Sequence, residues 1–222
     1  MIMKTIRPWK AGDGPISIYI NRRISWRITQ TIIKHNLPLR PNHMSVISAL
    51  VGFLAALAYI LRLPIIGGIL AQLSSILDGV DGELARALNM MTKSGGFLDT
   101  VLDRFVDFSI IISLTYLTAL SYPNTTLIYL LGLLALGGTF LCTFVHVAFR
   151  AYCGLPPTLT KIPHIASRDI RLFVIFLGSV LGFLYQTLIV LIMLTYTHAI
   201  LRFIDLFRNY REVELNTDRI RS

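Results

Sequence analysis

The sequence predicts an all-α integral membrane protein, with six transmembrane helices behind an amphipathic surface helix and both termini on the cytoplasmic side. Three observations lead there. Of the 222 residues, 54% are hydrophobic, and the mean hydropathy is +0.65, more hydropathic than soluble domains usually are. The apolar residues fall into runs of roughly 20, the length that crosses a bilayer as a helix. The net charge of +9 gathers at the edges of those runs. In a soluble chain it would suggest nucleic acid. At the margins of apolar runs it fits loops facing anionic lipid, so membrane lipid is the expected neighbour and nucleic acid is not an expected partner.

Residues 1–40 are polar and basic and show no secretory signal. Within them, ISIYINRRISWRITQTIIKHNL mixes Ile18, Trp26, Ile28 and Ile32 with Arg22, Arg23, Arg27 and Lys34. It reads either as a helix lying on the membrane surface or as a cytoplasmic helix packed on the bundle. Pro41-Asn42 breaks the chain. Spans are then expected near 44–61, 64–77 with a polar helical continuation toward Leu88, 97–120, 127–149, 172–184 and 187–204. The run TKSGG (92–96) supplies a turn between the second and third. The segment 150–171 contains three prolines and reads as an irregular loop. The domain division is therefore an N-terminal segment at 1–40, a six-span domain at 41–205 and a cytoplasmic tail at 206–222. Of the 21 Lys and Arg residues, all but Arg62 lie on one side of these spans, which makes that side cytoplasmic. Cys142 and Cys153 have neither disulfide-framework nor metal-ligand spacing.

The chemistry concentrates in LDGVDGELARALNMMTKSGGFLDTVLDRF (77–105). Carboxylates at membrane depth are unfavourable and mark functional sites. Asp78 and Asp81 share a helix face one turn apart, as do Asp99 and Asp103. Across a turn, the four converge at the cytoplasmic mouth of a helix pair. An all-oxygen cluster suits magnesium or manganese, and two such ions can clamp a phosphoryl group. Gly82 and Ala85 leave room for a ligand, Gly95 opens the third span without bulk, and the Arg86 fork suits phosphate oxygens. Glu83 falls off the Asp78/Asp81 face and is expected in solvent. Asp107 lies one turn beyond Asp103, either tuning the site or forming a structural ion pair or a bound-water site. A cation transporter using intramembrane carboxylates is the alternative. It would spread its acids through several spans, whereas here the fourth to sixth spans hold none until Asp205.

This stretch resembles the signature of the CDP-alcohol phosphotransferase family, D-x-x-D-G-x-x-A-R, eight residues, then G-x-x-x-D-x-x-x-D. Asp78, Asp81, Gly82, Ala85, Arg86, Gly95, Asp99 and Asp103 match every specified position. The resemblance implies that a CDP-linked alcohol or lipid donor loses CMP while its substituted phosphate passes to an acceptor hydroxyl. It implies metal binding by Asp78, Asp81 and Asp99, a general-base role for Asp103 with a contact to a second metal, and a CDP group bordered by Gly82, Ala85 and Arg86. It also implies six spans with a surface helix, and a homodimer. Asn42 and Ser45 resemble the P-N-x-x-[ST] element of relatives, which lies near the nucleotide; as plain residues they read equally as a helix cap. Arg150, Lys161, Arg168 and Arg171 gather where spans four and five meet the cytoplasm. Positive-inside anchoring accounts for most of them, and at least one of Arg150, Arg168 and Arg171 is a candidate for holding the phosphate of a phosphorylated acceptor. DGPISIYINRRIS and SRDIRLFVIFLG look similar to a branch, often fused to a nucleotidyltransferase, in which some members join CDP-inositol to inositol phosphate. His146 reads as a packed histidine.

Overall fold

The computed structural model describes residues 14, 16–153, 162 and 165–221, the last eleven by backbone only. Every element among the described residues is helical. A π-helical turn, Ser17–Asn21, runs into α1 (Arg22–Lys34). Then come α2 (Pro41–Ile60), α3 (Pro64–Ala87), α4 (Lys93–Ser121), α5 (Thr125–Cys153), α6 (Arg168–Leu181) and α7 (Leu184–Arg221). Lys161 lies outside the described residues.

Prolines set two of the starts. Pro41 and Pro64 occupy the first turns of α2 and α3, where the missing N–H has no intrahelical partner to lose. Left-handed residues set two of the ends. Arg62 (φ 61°) and Asn89 (φ 55°) turn the chain out of α2 and α3. The turn before α4 therefore falls at 88–92, earlier than the TKSGG expectation. Thr92 instead caps α4, accepting from the Gly95 amide at 3.0 Å, and Lys93–Gly96 form its first turn. A short polar side chain that satisfies an open helix N-terminus outweighs the turn preference of two glycines.

Six helices, α2 to α7, form the bundle. α2 packs on α3 and α4, α3 on α6, α4 on α5, and α5 on α7. Tyr59, Ala71, Val106, Ile110, Leu114 and Leu172 belong to the central apolar cluster, and the Tyr59 hydroxyl meets Ser179 Oγ at 2.7 Å. Gly68 lets α3 approach α6 closely: a Cβ there would lie 2.8 Å from Ser179 Cβ and 3.1 Å from the Phe176 carbonyl. Small residues at such crossings are how helices pack in lipid.

Four helices are long and apolar enough to cross a membrane: Pro41–Ile60, Pro64–Ala87, Thr125–Cys153 and Leu184–Tyr210. The first half of α4 carries Asp99, Asp103, Arg104 and Asp107. α6 has 14 residues, a rise of about 21 Å. Beyond 205 the expected tail continues α7 as helix to Arg221.

Candidate active site

The end of α3, the turn at 88–92 and the start of α4 place the signature residues at one end of the bundle. Oxygens of Asp78, Asp99 and Asp103 lie within 4.8 Å of one another. Asp81 joins from the neighbouring turn of α3. It accepts from Ser45 Oγ at 2.5 Å and is hydrogen-bonded to the Asp99 carboxyl. Two carboxylates in contact need a proton or a cation between them. This oxygen-only donor set, with one atom available from each acid, is chemically suited to a hard divalent cation.

Beside the acids lies a cavity of about 170 Å³. Asp81, Gly82, Ala85 and Arg86 wall it from α3, Gly95 and Asp99 from α4, and Asn42 and Ser45 from α2. Gly95 is required here: a Cβ would stand 2.9 Å from Thr92 Oγ1 and 3.1 Å from Asn42 Oδ1. Asn42 and Ser45 are not the cap of α2, since the N-cap position is Arg40.

The three candidate acceptor arginines separate. Arg168, at the start of α6, enters the acidic cluster. Its Nη1 lies 3.1 Å from Asp78 Oδ1 and 3.0 Å from Asp103 Oδ1, and its Nε donates to Asp107 Oδ1 at 3.2 Å. Arg171 is buried behind it, donating to Asp107 Oδ2 at 2.9 Å and to the Ala166 carbonyl at 2.8 Å. Arg150 is exposed in the last turn of α5. Asp107, also met by Arg104 at 3.0 Å, forms ion pairs, one of the readings left open by the sequence.

Glu83 departs from expectation. It is 1% exposed, accepting from Ser25 Oγ and Thr29 Oγ1 at 2.7 Å each and from Arg22 Nη1 at 3.2 Å. The side of α3 that looked solvated is covered by α1, which also packs Ile32 against Val80 and Leu84. Arg22 reaches the Gly79 carbonyl at 3.0 Å. The helix before the first span is thus docked on the bundle through a polar face.

A second polar knot was not anticipated. Asn21 Nδ2 donates to Ser75 Oγ at 3.0 Å and to Asp169 Oδ1 at 3.2 Å, and Gln72 Nε2 donates to Asn21 Oδ1 at 2.7 Å. Loss of water around Asp169, and then the negative charge of Asp78, hold its carboxyl above the usual range. The knot ties the first turn of α6, and so Arg168, to α3. Its one signal in the sequence was Gln72 with Ser74 and Ser75 inside an apolar run.

The chain has counterparts among known proteins. The family model for CDP-alcohol phosphatidyltransferase matches residues 38–204. The chain is 41% identical over 180 residues to a bifunctional IPC transferase and DIPP synthase of Thermococcus kodakarensis, covering 79% of this chain and 38% of that one. It is 31% identical over 153 residues to an archaetidylinositol phosphate synthase of Pyrococcus horikoshii, covering 69% and 74%. It thus spans well under half of the bifunctional relative and most of the single-function one. Its fold matches crystal structures of Mycobacterium tuberculosis phosphatidylinositol phosphate synthase. With CDP-DAG bound, the TM-score is 0.68 at 18% identity, covering 83% of this chain and 94% of that one. In complex with manganese and citrate, it is 0.69 at 18% identity, covering 82% and 88%. A signature complete at every position, folded into one acidic pocket and matched along three quarters of the chain, places this protein in the CDP-alcohol phosphatidyltransferase family.

Proposed function

We propose that this CDP-alcohol phosphotransferase moves a substituted phosphate from a CDP-linked donor to an acceptor hydroxyl and releases CMP, in phospholipid or inositol-phosphate diester synthesis. One observation carries the reading. The signature carboxylates converge beside a cavity walled by the other signature residues, so the residues proposed to hold cation and nucleotide adjoin one another.

Asp78, Asp81, Asp99 and Asp103 would hold magnesium or manganese, two ions by the family pattern. Such ions supply charge neutralisation of the pyrophosphate and of the departing CMP. The chain's own residues do the rest. Gly82, Ala85 and Gly95 admit the CDP group close to the backbone, and Arg86, with Asn42 and Ser45, borders it. The acceptor oxygen attacks the phosphorus that bears the donor's alcohol. A new P–O bond forms, the bond from that phosphorus to the bridging oxygen breaks, and CMP leaves with that oxygen. Asp103 takes the acceptor's hydroxyl proton. Among the three candidate arginines, Arg168 is the one beside Asp103, and it is assigned here to the phosphate of a phosphorylated acceptor.

The donor class proposed is CDP-inositol, as the resembling branch implies, or a CDP-linked lipid, such as the CDP-DAG bound to the Mycobacterium tuberculosis synthase, with an inositol phosphate as acceptor. Six spans, an active site at the cytoplasmic face, surrounding membrane lipid and a homodimer complete the proposal. The test crosses CDP-inositol and CDP-diacylglycerol with inositol phosphate, glycerol phosphate, serine and free inositol, using purified protein with magnesium or manganese. CMP release dependent on the acceptor is expected. A folded protein that releases no CMP from any pair would overturn the reading.

A further inference from the structure

Arg168 faces three acids with one guanidinium. Asp78 and Asp103, at 3.1 and 3.0 Å from Nη1, belong with Asp99 to the carboxylate cluster. Asp107, at 3.2 Å from Nε, does not, and it is already shared with Arg104 and Arg171. The Arg168 side chain is 10% exposed. Its Nη1 and Nη2 are buried without a well-formed hydrogen bond among the described residues. The guanidinium is therefore anchored at Nε, while Nη1 stands against the oxygens of Asp78 and Asp103.

A divalent cation on Asp78 and Asp103 would bind the same two carboxylates that Nη1 now faces, each through one oxygen. Two positive charges on one carboxylate pair repel strongly in a partly dry site. The fork must give way, leaving a buried guanidinium with its terminal nitrogens stripped of carboxylates, an unfavourable state. A phosphate relieves it, because its oxygens match the planar fork.

We infer that Arg168 couples the two ligands: a divalent cation on the aspartates and a phosphate on the Arg168 fork each strengthen the binding of the other. This rests on the proposed metal site and goes beyond it by giving the sign of a linkage. The coupling is reciprocal by thermodynamic necessity. It also has a chemical consequence. Without a phosphorylated acceptor, Arg168 occupies the base Asp103, which disfavours activation of water against the donor. The arriving phosphate withdraws the fork and frees that oxygen for the acceptor's own proton.

Mn²⁺ binding to the purified protein, followed by paramagnetic resonance of the free ion with and without inorganic phosphate, tests the coupling without turnover. In the wild type, phosphate is expected to tighten Mn²⁺ by about tenfold, within the usual range of such couplings. Arg168→Gln is expected to bind Mn²⁺ tightly without phosphate and to lose the phosphate response. Arg168→Lys, which keeps the charge but not the fork, should keep weak Mn²⁺ binding with a reduced response. An equal phosphate effect in the wild type and Arg168→Gln means that phosphate acts on the ion directly, and the inference falls. It falls equally if Arg168→Gln leaves Mn²⁺ affinity unchanged. Asp99→Asn separates the premise, because the Asp99 hydrogen bond goes to Asp81 rather than to Arg168. It should weaken Mn²⁺ in every background, and wild-type affinity in that variant would sink the metal reading itself.

Discussion

Asp103 sits where two demands meet, since it is a cluster carboxylate and the partner of Arg168 at 3.0 Å. Asp103→Asn keeps the shape and hydrogen-bonding reach of the side chain but cannot take a proton at neutral pH. The expected outcome is turnover lowered by at least about 100-fold, the lower end of a general-base contribution, with the thermal unfolding midpoint within a few degrees of wild type. Turnover at more than a tenth of wild type would remove the base role. At this scale the four aspartates were legible, because helical spacing puts Asp78 with Asp81 and Asp99 with Asp103 on shared faces, and the eight-position pattern was legible through its resemblance to the family signature. Glu83 was misread by the same rule. Its position off the aspartate face was right, but spacing along one helix says nothing about what covers the opposite side. Arg168 was one of three acceptor candidates, and which of them reaches the acids depended on the entry angle of α6.

At the scale of elements, α1 is a strap across α3. Asn21 and Arg22 engage Gln72, Ser75, Gly79 and Glu83, a ladder on the side of α3 next to the aspartates. Glu83→Ala leaves the buried Arg22 guanidinium without its carboxylate, and is expected to destabilise the protein by about 3–5 kcal/mol, the usual result of breaking a buried pair from one side. Arg22→Met with Glu83→Leu should regain most of that loss, since no charge is then stranded. Thermal unfolding in detergent measures both. A single variant within about 1 kcal/mol of wild type would mean that α1 is merely resting on the bundle. The docking of α1 was half legible. Its amphipathic run allowed either the lipid surface or the bundle, and Ser25 and Thr29 carry too little apolar signal to choose between them.

For the whole molecule, the Lys and Arg asymmetry predicts that the acidic end faces the cytoplasm. Arg62 and Lys93 are exposed at opposite ends of α3 and its turn, so single cysteines at these positions report orientation. In a background with Cys142 and Cys153 replaced by Ala, Lys93→Cys should react with a membrane-impermeant maleimide only from the cytoplasmic side. Arg62→Cys should react only from outside. The reverse pattern would turn the molecule over. Four helices pass for spans by length and apolarity. α4 and α6 do not read as spans in the same way, because the first carries Asp99, Asp103, Arg104 and Asp107 in its first half and the second is short.

The sequence by itself determined the helical membrane class, the approximate start of each helix, the acidic signature and the sidedness expected of it. These follow from local periodicity, hydropathy and charge placement, which need no long-range contact. Only the tertiary structure decided that Glu83 is buried under α1, that Asp107 holds three arginines, and that Asn21, Ser75 and Asp169 tie α6 to α3. It also singled out Arg168 as the arginine that enters the carboxylate cluster. Apart from Arg104 with Asp107, three positions apart, those pairings join residues from 54 to 148 positions apart. Distances across packed helices are set by crossing geometry and small-residue contacts such as Gly68 on α6, which the order of residues along one helix does not encode.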